Sequence, residues 1–185
     1  MSGPLVVLIG PMGVGKSTVG QLLAERLGVG YRDTDDDIVA EEGRSVAAVF
    51  AERGEPYFRG VEKRAVRRAL AEHDGVLALG GGAILDADTR ALLAAHPVVW
   101  LSMEADEAAR RLAPGTARPL LAADPRRRWR ELMEARRHFY RQAAAARVAT
   151  DGRTPAEVAR AVLGTLACRA GRPGGSRPGR TAGGL

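Results

Sequence analysis

The stretch GPMGVGKST, Gly10 to Thr18, carries the strongest chemical signal in the chain. Gly10, Gly15, Lys16 and Ser17 fit the spacing G-x-x-x-x-G-K-[ST], the pattern of a loop that wraps phosphates. Glycines let the backbone turn its N–H groups inward, and a helix starting at the loop aims its positive end at the same anion. Gly13, Val14, Gly15, Lys16, Ser17 and Thr18 would then hold ATP. Lys16 reaches the β- and γ-phosphates, and the Ser17 hydroxyl ligates Mg²⁺ directly. Lys16 is also one of only two lysines in a chain that otherwise uses arginine, so the position asks for a compact ammonium. A second cluster, DTDDDI, places four carboxylates at Asp33, Asp35, Asp36 and Asp37. Asp33 closes a strand beside the phosphate loop and can face Mg²⁺ through a bound water, because Mg²⁺ keeps part of its hydration shell. Thr34 with Asp37 fits [ST]-x-x-[DE] and predicts that Asp37 caps a helix, with Asp36 a solvated acid of the first turn.

These residues need a scaffold that brings loops to one edge. Short apolar runs alternate with amphipathic stretches, which predicts an α/β fold: a central parallel five-stranded sheet, helices on both faces, three layers in all. Leu5–Ile9 (LVVLI) shows no alternation and predicts a strand buried on both sides. Further strands are predicted to end near Arg32 and to span Val76–Leu79, Val98–Leu101 and Arg147–Thr150. Helices are predicted over Lys16–Leu27, Asp35–Glu42, Val46–Arg53, Glu55–His73, Asp86–Ala95, Ala105–Leu112, Arg126–Ala145 and Pro155–Arg169. Each strand-to-helix switch puts its loop at the carboxyl edge of the sheet, where open α/β folds bind ligands. Residues 113–125 (APGTARPLLAADP) break the pattern and predict a mobile lid. Residues 169–185, rich in Arg, Gly and Pro, have too few apolar side chains to fold and predict a disordered tail after a domain over 1–168.

Composition narrows the function classes. The chain has 185 residues, 45% hydrophobic and 27% charged, as expected for one globular domain. No run approaches the roughly 20 apolar residues of a membrane span, and the N-terminal run is too short for a signal peptide. The single cysteine, Cys168, fits a reducing compartment, so a cytoplasmic enzyme without a membrane partner is expected. The net charge of +6 suggests nucleic acid, but the last 17 residues hold four Arg and no acid. In the rest, 24 basic residues face all 22 acids, and an aromatic content of 4% offers few stacking platforms.

The [NT]-K-x-D base-reading motif of a GTPase is missing. A small phosphoryl-transfer enzyme needs an acceptor pocket, a flap and cations, and the chain offers all three. From about Leu5 to Leu166 it resembles the shikimate kinases through GPMGVGKST, DTD, the Phe-Arg of EPYFRGVE, LGGGA, RPLL and the Arg of EARRHFY. That resemblance implies a nucleoside-monophosphate-kinase-like fold and ATP-dependent phosphorylation of the 3-hydroxyl of shikimate, in chorismate and aromatic amino-acid synthesis. It implies ATP and shikimate as substrates of a monomer that binds no nucleic acid.

The resemblance also assigns residues. Shikimate carries one carboxylate and three hydroxyls, so it needs cationic forks and hydroxyl acceptors. Arg59 and Arg136 are the implied forks, and Arg suits a bidentate carboxylate better than Lys. Glu62, three residues after Arg59, shares its helix face and can hold the guanidinium. Arg136 is chosen over its neighbour Arg137 by the spacing to Tyr140, although His138-Phe139 stands where the family usually has Pro-Leu. Gly80, Gly81 and Gly82 would let backbone N–H groups approach the anionic substrate. Phe50 and Phe58 would pack against the substrate ring or belong to the core. Arg118 would close over the phosphates and neutralise charge in transfer. Arg110, with Arg111 as its rival, and Arg153 with Pro155 would flank the adenine. Asp35 would hold the acceptor hydroxyl, with Lys16 and Arg118 completing the catalytic set. The alternatives are another small-molecule P-loop kinase, such as a gluconate kinase, and a nucleic-acid-binding P-loop ATPase using the basic tail.

Overall fold

The structure, a computed structural model, describes residues 3–111 and 125–170. The expected lid and tail fall almost wholly outside those residues, and Arg118 lies outside them. Five strands, β1 (Val6–Ile9), β2 (Tyr31–Asp33), β3 (Val76–Ala78), β4 (Val98–Ser102) and β5 (Ala146–Ala149), form one sheet in the order β2-β3-β1-β4-β5. All four pairings are parallel, with Val7 opposite Leu77 on one side and Val98 on the other. β1 sits at the centre and is buried throughout, as its unbroken apolar run requires.

Eight helices connect and cover the strands among the described residues: α1 (Lys16–Leu27), α2 (Thr34–Glu42), α3 (Val46–Arg53), α4 (Glu55–Glu72), α5 (Ala87–Leu93), α6 (Ala105–Arg111), α7 (Pro125–Ala143) and α8 (Pro155–Ala170). A 3₁₀ turn, Ala83–Leu85, follows β3. The element boundaries lie within two residues of those the sequence predicts. α1 packs on α8, while α7 lies against β4 and the 3₁₀ turn. The main core fills around the sheet and includes Val7, Leu8, Leu77, Leu101, Trp100 and Tyr140. A separate small cluster of Ile38, Val49, Phe58, Val61 and Ala65 holds α2, α3 and α4 together. Among the described residues no helix is long and apolar enough to cross a membrane.

Parallel pairing sends every strand the same way, so Ile9, Asp33, Ala78, Ser102 and Ala149 all deliver the chain to one edge. Most of the candidate residues among those described collect there.

Candidate active site

At the end of β1 the loop turns through Gly13 and Gly15, whose φ angles of +77° and +95° are ones side-chain-bearing residues rarely adopt. Gly15 in the left-handed region delivers the chain directly into α1, whose N-terminus has no side-chain cap. The first N–H groups of that helix therefore face the loop mouth, where an anion can take them. Lys16 folds back over the loop, its Nζ donating to the carbonyls of Gly10 at 2.9 Å and Pro11 at 3.2 Å.

Beside the loop is a cavity of about 350 Å³ lined by Gly13, Val14, Gly15, Thr18, Val19, Arg111, Thr150, Arg153, Pro155 and Val158. The expected Arg153 and Pro155 are there, whereas Arg110 is replaced by its rival. Arg110 is 75% exposed and pairs with Glu107 on its own helix. Arg111 instead reaches across, donating to the carbonyl oxygens of Val14 at 3.3 Å and Thr150 at 3.1 Å. One step along α6 turns a side chain by about 100°, which is enough to exchange solvent for the cavity. Thr150 and Val158 were not singled out by the sequence reading. The only signals for them were positional: Thr150 ends the predicted fifth strand, and Val158 lies in the first turn of α8.

The aspartates divide differently from the capping-box expectation. Asp33, not Asp37, is the N-cap of α2, its Oδ1 accepting the Asp35 N–H at 3.0 Å. Its Oδ2 accepts from the Ser17 hydroxyl at 3.3 Å and from the Tyr31 hydroxyl at 3.0 Å. Asp37 is drawn to Arg32, whose Nε donates to both its oxygens at 2.8 and 3.1 Å. Thr34 is fully buried and accepts the Gly80 N–H at 3.0 Å, so it ties α2 to the segment after β3 rather than opening a capping box. Asp36 is exposed, as expected. Burial pushes the Asp35 carboxyl above the ordinary Asp range; the nearby Asp33 adds to this, and Lys16 offsets part of it.

Gly80, Gly81 and Gly82 form the hub of the other half. A Cβ on Gly80 would lie 2.6 Å from Asp35 Oδ1 and 2.8 Å from Glu62 Oε1, and one on Gly82 would lie 2.1 Å from Arg59 Nη1. The missing side chains therefore make room for the protein's own polar groups. The Gly80 N–H is spent on Thr34, which corrects the expectation that it serves the substrate. On the opposite side, Gly81 backs onto the phosphate loop: its Cβ position is 3.3 Å from the Met12 nitrogen.

Arg59 is held as its spacing predicts. Its Nη1 meets Glu62 at 2.5 Å, and its Nε and Nη2 meet Glu55 at 3.2 and 3.1 Å. Glu62 is buried, which pushes its carboxyl up while Arg59 pulls it back without cancelling the shift. Arg136 Nη1 donates to the Gly81 carbonyl at 3.4 Å, and the Tyr140 hydroxyl donates to the same oxygen at 2.8 Å. That shared acceptor puts Arg136 beside the glycines, as the Arg-to-Tyr spacing predicts. Tyr140 stacks on Trp100 with ring centroids 5.4 Å apart, and the Arg147 guanidinium lies 4.8 Å from the indole centroid. Phe58 is buried in the small core cluster and Phe50 packs against it at 5.6 Å, so Phe58 belongs to the core.

Comparison with known proteins follows this geometry. The family model for shikimate kinase matches residues 12–167. A shikimate kinase of Streptomyces avermitilis is 72% identical over 166 residues, covering 90% of this chain and 97% of its own length. One of Streptomyces coelicolor is 69% identical over 163 residues, covering 88% and 95%. Among solved structures, a shikimate kinase from Acinetobacter baumannii in complex with shikimate superposes with a TM-score of 0.86 at 31% identity, covering 93% of this chain and 97% of that one.

Proposed function

The chain belongs to the shikimate kinase family, and from that premise we propose that it transfers the γ-phosphoryl group of ATP to the 3-hydroxyl of shikimate. The products are shikimate 3-phosphate and ADP, on the route to chorismate and the aromatic amino acids. The observation that carries this reading is the Gly80–Gly82 segment. One side of it meets Asp35, Glu62, Arg59 and Arg136, and the other meets the phosphate loop. A site for a carboxylate and hydroxyls thus adjoins a site for a triphosphate.

The loop N–H groups from Gly13 to Thr18 and the Lys16 ammonium hold the phosphates, and Arg111, Arg153 and Pro155 border the base. Arg59, braced by Glu55 and Glu62, and Arg136 grip the substrate carboxylate. That grip fixes the ring so that its hydroxyl points at the γ-phosphorus, and such positioning supplies most of the catalysis in a loose phosphoryl-transfer transition state. Asp35 accepts a hydrogen bond from the 3-hydroxyl and takes its proton as the new P–O bond forms and the bond to the ADP oxygen breaks. Its raised pKa makes it a better base than an ordinary aspartate. Arg118, outside the described residues, is assigned to the phosphates in the closed state, with residues 113–125 as the lid of a domain over 1–168.

The residues fit Mg²⁺. Ser17 gives its hydrogen to Asp33, which leaves its oxygen lone pairs available to a cation, and Asp33 would accept from a metal-bound water. Among the described residues no group of three or more His, Cys, Asp or Glu could cage a metal, in keeping with a cation held by one hydroxyl, waters and phosphates. Ser17, and Asp33 through a water, would hold the cation, which would supply charge neutralisation to the nucleotide phosphates. The same reading has the chain act as a cytoplasmic monomer without a nucleic-acid partner. Its support is the single cysteine and the near balance of charge outside the last 17 residues.

The test is ADP release from ATP and Mg²⁺ with shikimate, gluconate or a nucleoside monophosphate as acceptor. Release with shikimate alone is expected; release with gluconate but not shikimate overturns the reading.

A further inference from the structure

Asp33 is held from three directions, and one of its partners has no place in the mechanism above. Tyr31 lies two residues before Asp33 on β2, so both side chains emerge on the same face of the strand. The Tyr31 hydroxyl donates to Asp33 Oδ2 at 3.0 Å, beside the Ser17 hydroxyl at 3.3 Å on the same oxygen. The Asp35 N–H holds Oδ1 at 3.0 Å. A carboxylate has about four acceptor positions, so these three donors leave one for a water.

The ring is accommodated by a specific device. A Cβ on Gly20, inside α1, would lie 2.4 Å from Tyr31 Cε2 and 3.0 Å from Cδ2. Glycine weakens a helix interior, and here it is what lets an aromatic ring pass beneath α1 toward the phosphate loop. Packing alone would be served as well by phenylalanine. What tyrosine adds is a hydroxyl, and that hydroxyl is spent on the carboxylate that faces the metal.

We propose that Tyr31 is a positioning residue for Mg²⁺·nucleotide binding, its hydroxyl fixing the Asp33 carboxylate so that one free acceptor position meets the hydration shell of the cation. Ser17 can then serve the metal without also having to orient Asp33 by itself. The proposal rests on the Ser17 and Asp33 metal site put forward above. Partners of this kind orient the groups that meet a metal, and removing one typically weakens metal binding by about 10- to 100-fold.

The test is calorimetric titration of ADP, with and without Mg²⁺, into the full chain and its Tyr31→Phe, Asp33→Asn and double variants. In the unaltered protein Mg²⁺ tightens ADP binding. Tyr31→Phe keeps the ring, binds metal-free ADP within about twofold of the unaltered protein, and loses about tenfold of affinity for Mg²⁺·ADP. The double variant binds Mg²⁺·ADP no more weakly than Asp33→Asn alone, because the hydroxyl acts only through Asp33. Unaltered Mg²⁺·ADP binding by Tyr31→Phe overturns the proposal while sparing the metal site, as does equal loss with and without metal, or additive losses in the double variant. If the unaltered protein binds ADP equally with and without Mg²⁺, the metal site fails and the proposal fails with it.

Discussion

Asp35 shows at the residue scale how this site exchanges stability for chemistry. Its carboxyl is raised by burial first and by Asp33 second, with Lys16 acting in opposition. A carboxyl whose folded pKa exceeds its unfolded one binds its proton more tightly in the folded state. Stability therefore falls as pH climbs through the window between the two values, and the ionised group remains a penalty above it. Two outcomes follow for Asp35→Asn. Turnover with saturating shikimate drops by about 10²- to 10³-fold while ADP affinity stays unchanged, as steady-state rates and calorimetry would show. At pH 7 the thermal midpoint rises by about 2 °C, and that gain shrinks as pH is lowered into the ordinary carboxylate range. Unchanged turnover would remove Asp35 from the mechanism. The chemical types at this site were legible in the sequence because they are demanded by the ligands: a lysine for phosphates, forks for a carboxylate. The pairings inside the acidic cluster were not. Thr34 and Asp37 satisfy a local capping pattern, but burial draws Thr34 to the distant Gly80, and Arg32, on the strand just before the helix, claims Asp37.

At the scale of elements, periodicity placed every strand and helix among the described residues to within two positions, since buried runs and amphipathic faces are written locally. Strand order is not. Pairing of β2 with β3 and of β1 with β4 depends on contacts tens of residues apart. The choice between Arg110 and Arg111 was not legible for a related reason: both sit in the last turn of α6, and only the packing of that helix says which one faces the cavity. Replacing Arg111 by Ala weakens ADP binding about tenfold, whereas Arg110→Ala, which among the described residues loses an exposed ion pair, stays within about twofold. Equal effects in a nucleotide titration would return the two to parity. The triple glycine was expected to admit the substrate, and in the structure the atoms closest to its missing side chains belong to the protein. Gly80→Ala would press on Asp35 and Glu62 together, lowering kcat/KM for shikimate by about 10²-fold or more with ADP affinity preserved. A variant with wild-type kcat/KM would show that the carboxylates can shift without consequence.

Across the whole molecule the two halves of the site rest on unequal foundations. The phosphate loop grows from β1 in the centre of the main core, while Asp35 and Arg59 stand on α2 and α4, which α3 joins through the small cluster around Ile38 and Phe58. Val49 is the one buried side chain of α3. Few buried contacts mean a low local opening free energy. In native-state hydrogen exchange the α3 amides should therefore exchange faster than those of β1 and β4, and slow when shikimate is added. Equal protection without ligand would show that α3 is as firmly held as the sheet. The stack behind the glycines has a further use. Trp100 stacks on the Tyr140 ring and also meets the Arg147 guanidinium, and Tyr140 shares the Gly81 carbonyl with Arg136. A ligand carboxylate that draws Arg136 off that oxygen alters the charge and hydrogen bonding next to an indole. The enzyme thereby carries a built-in optical reporter: shikimate should change its tryptophan emission, and Trp100→Phe should abolish the change even though Trp129 remains to fluoresce.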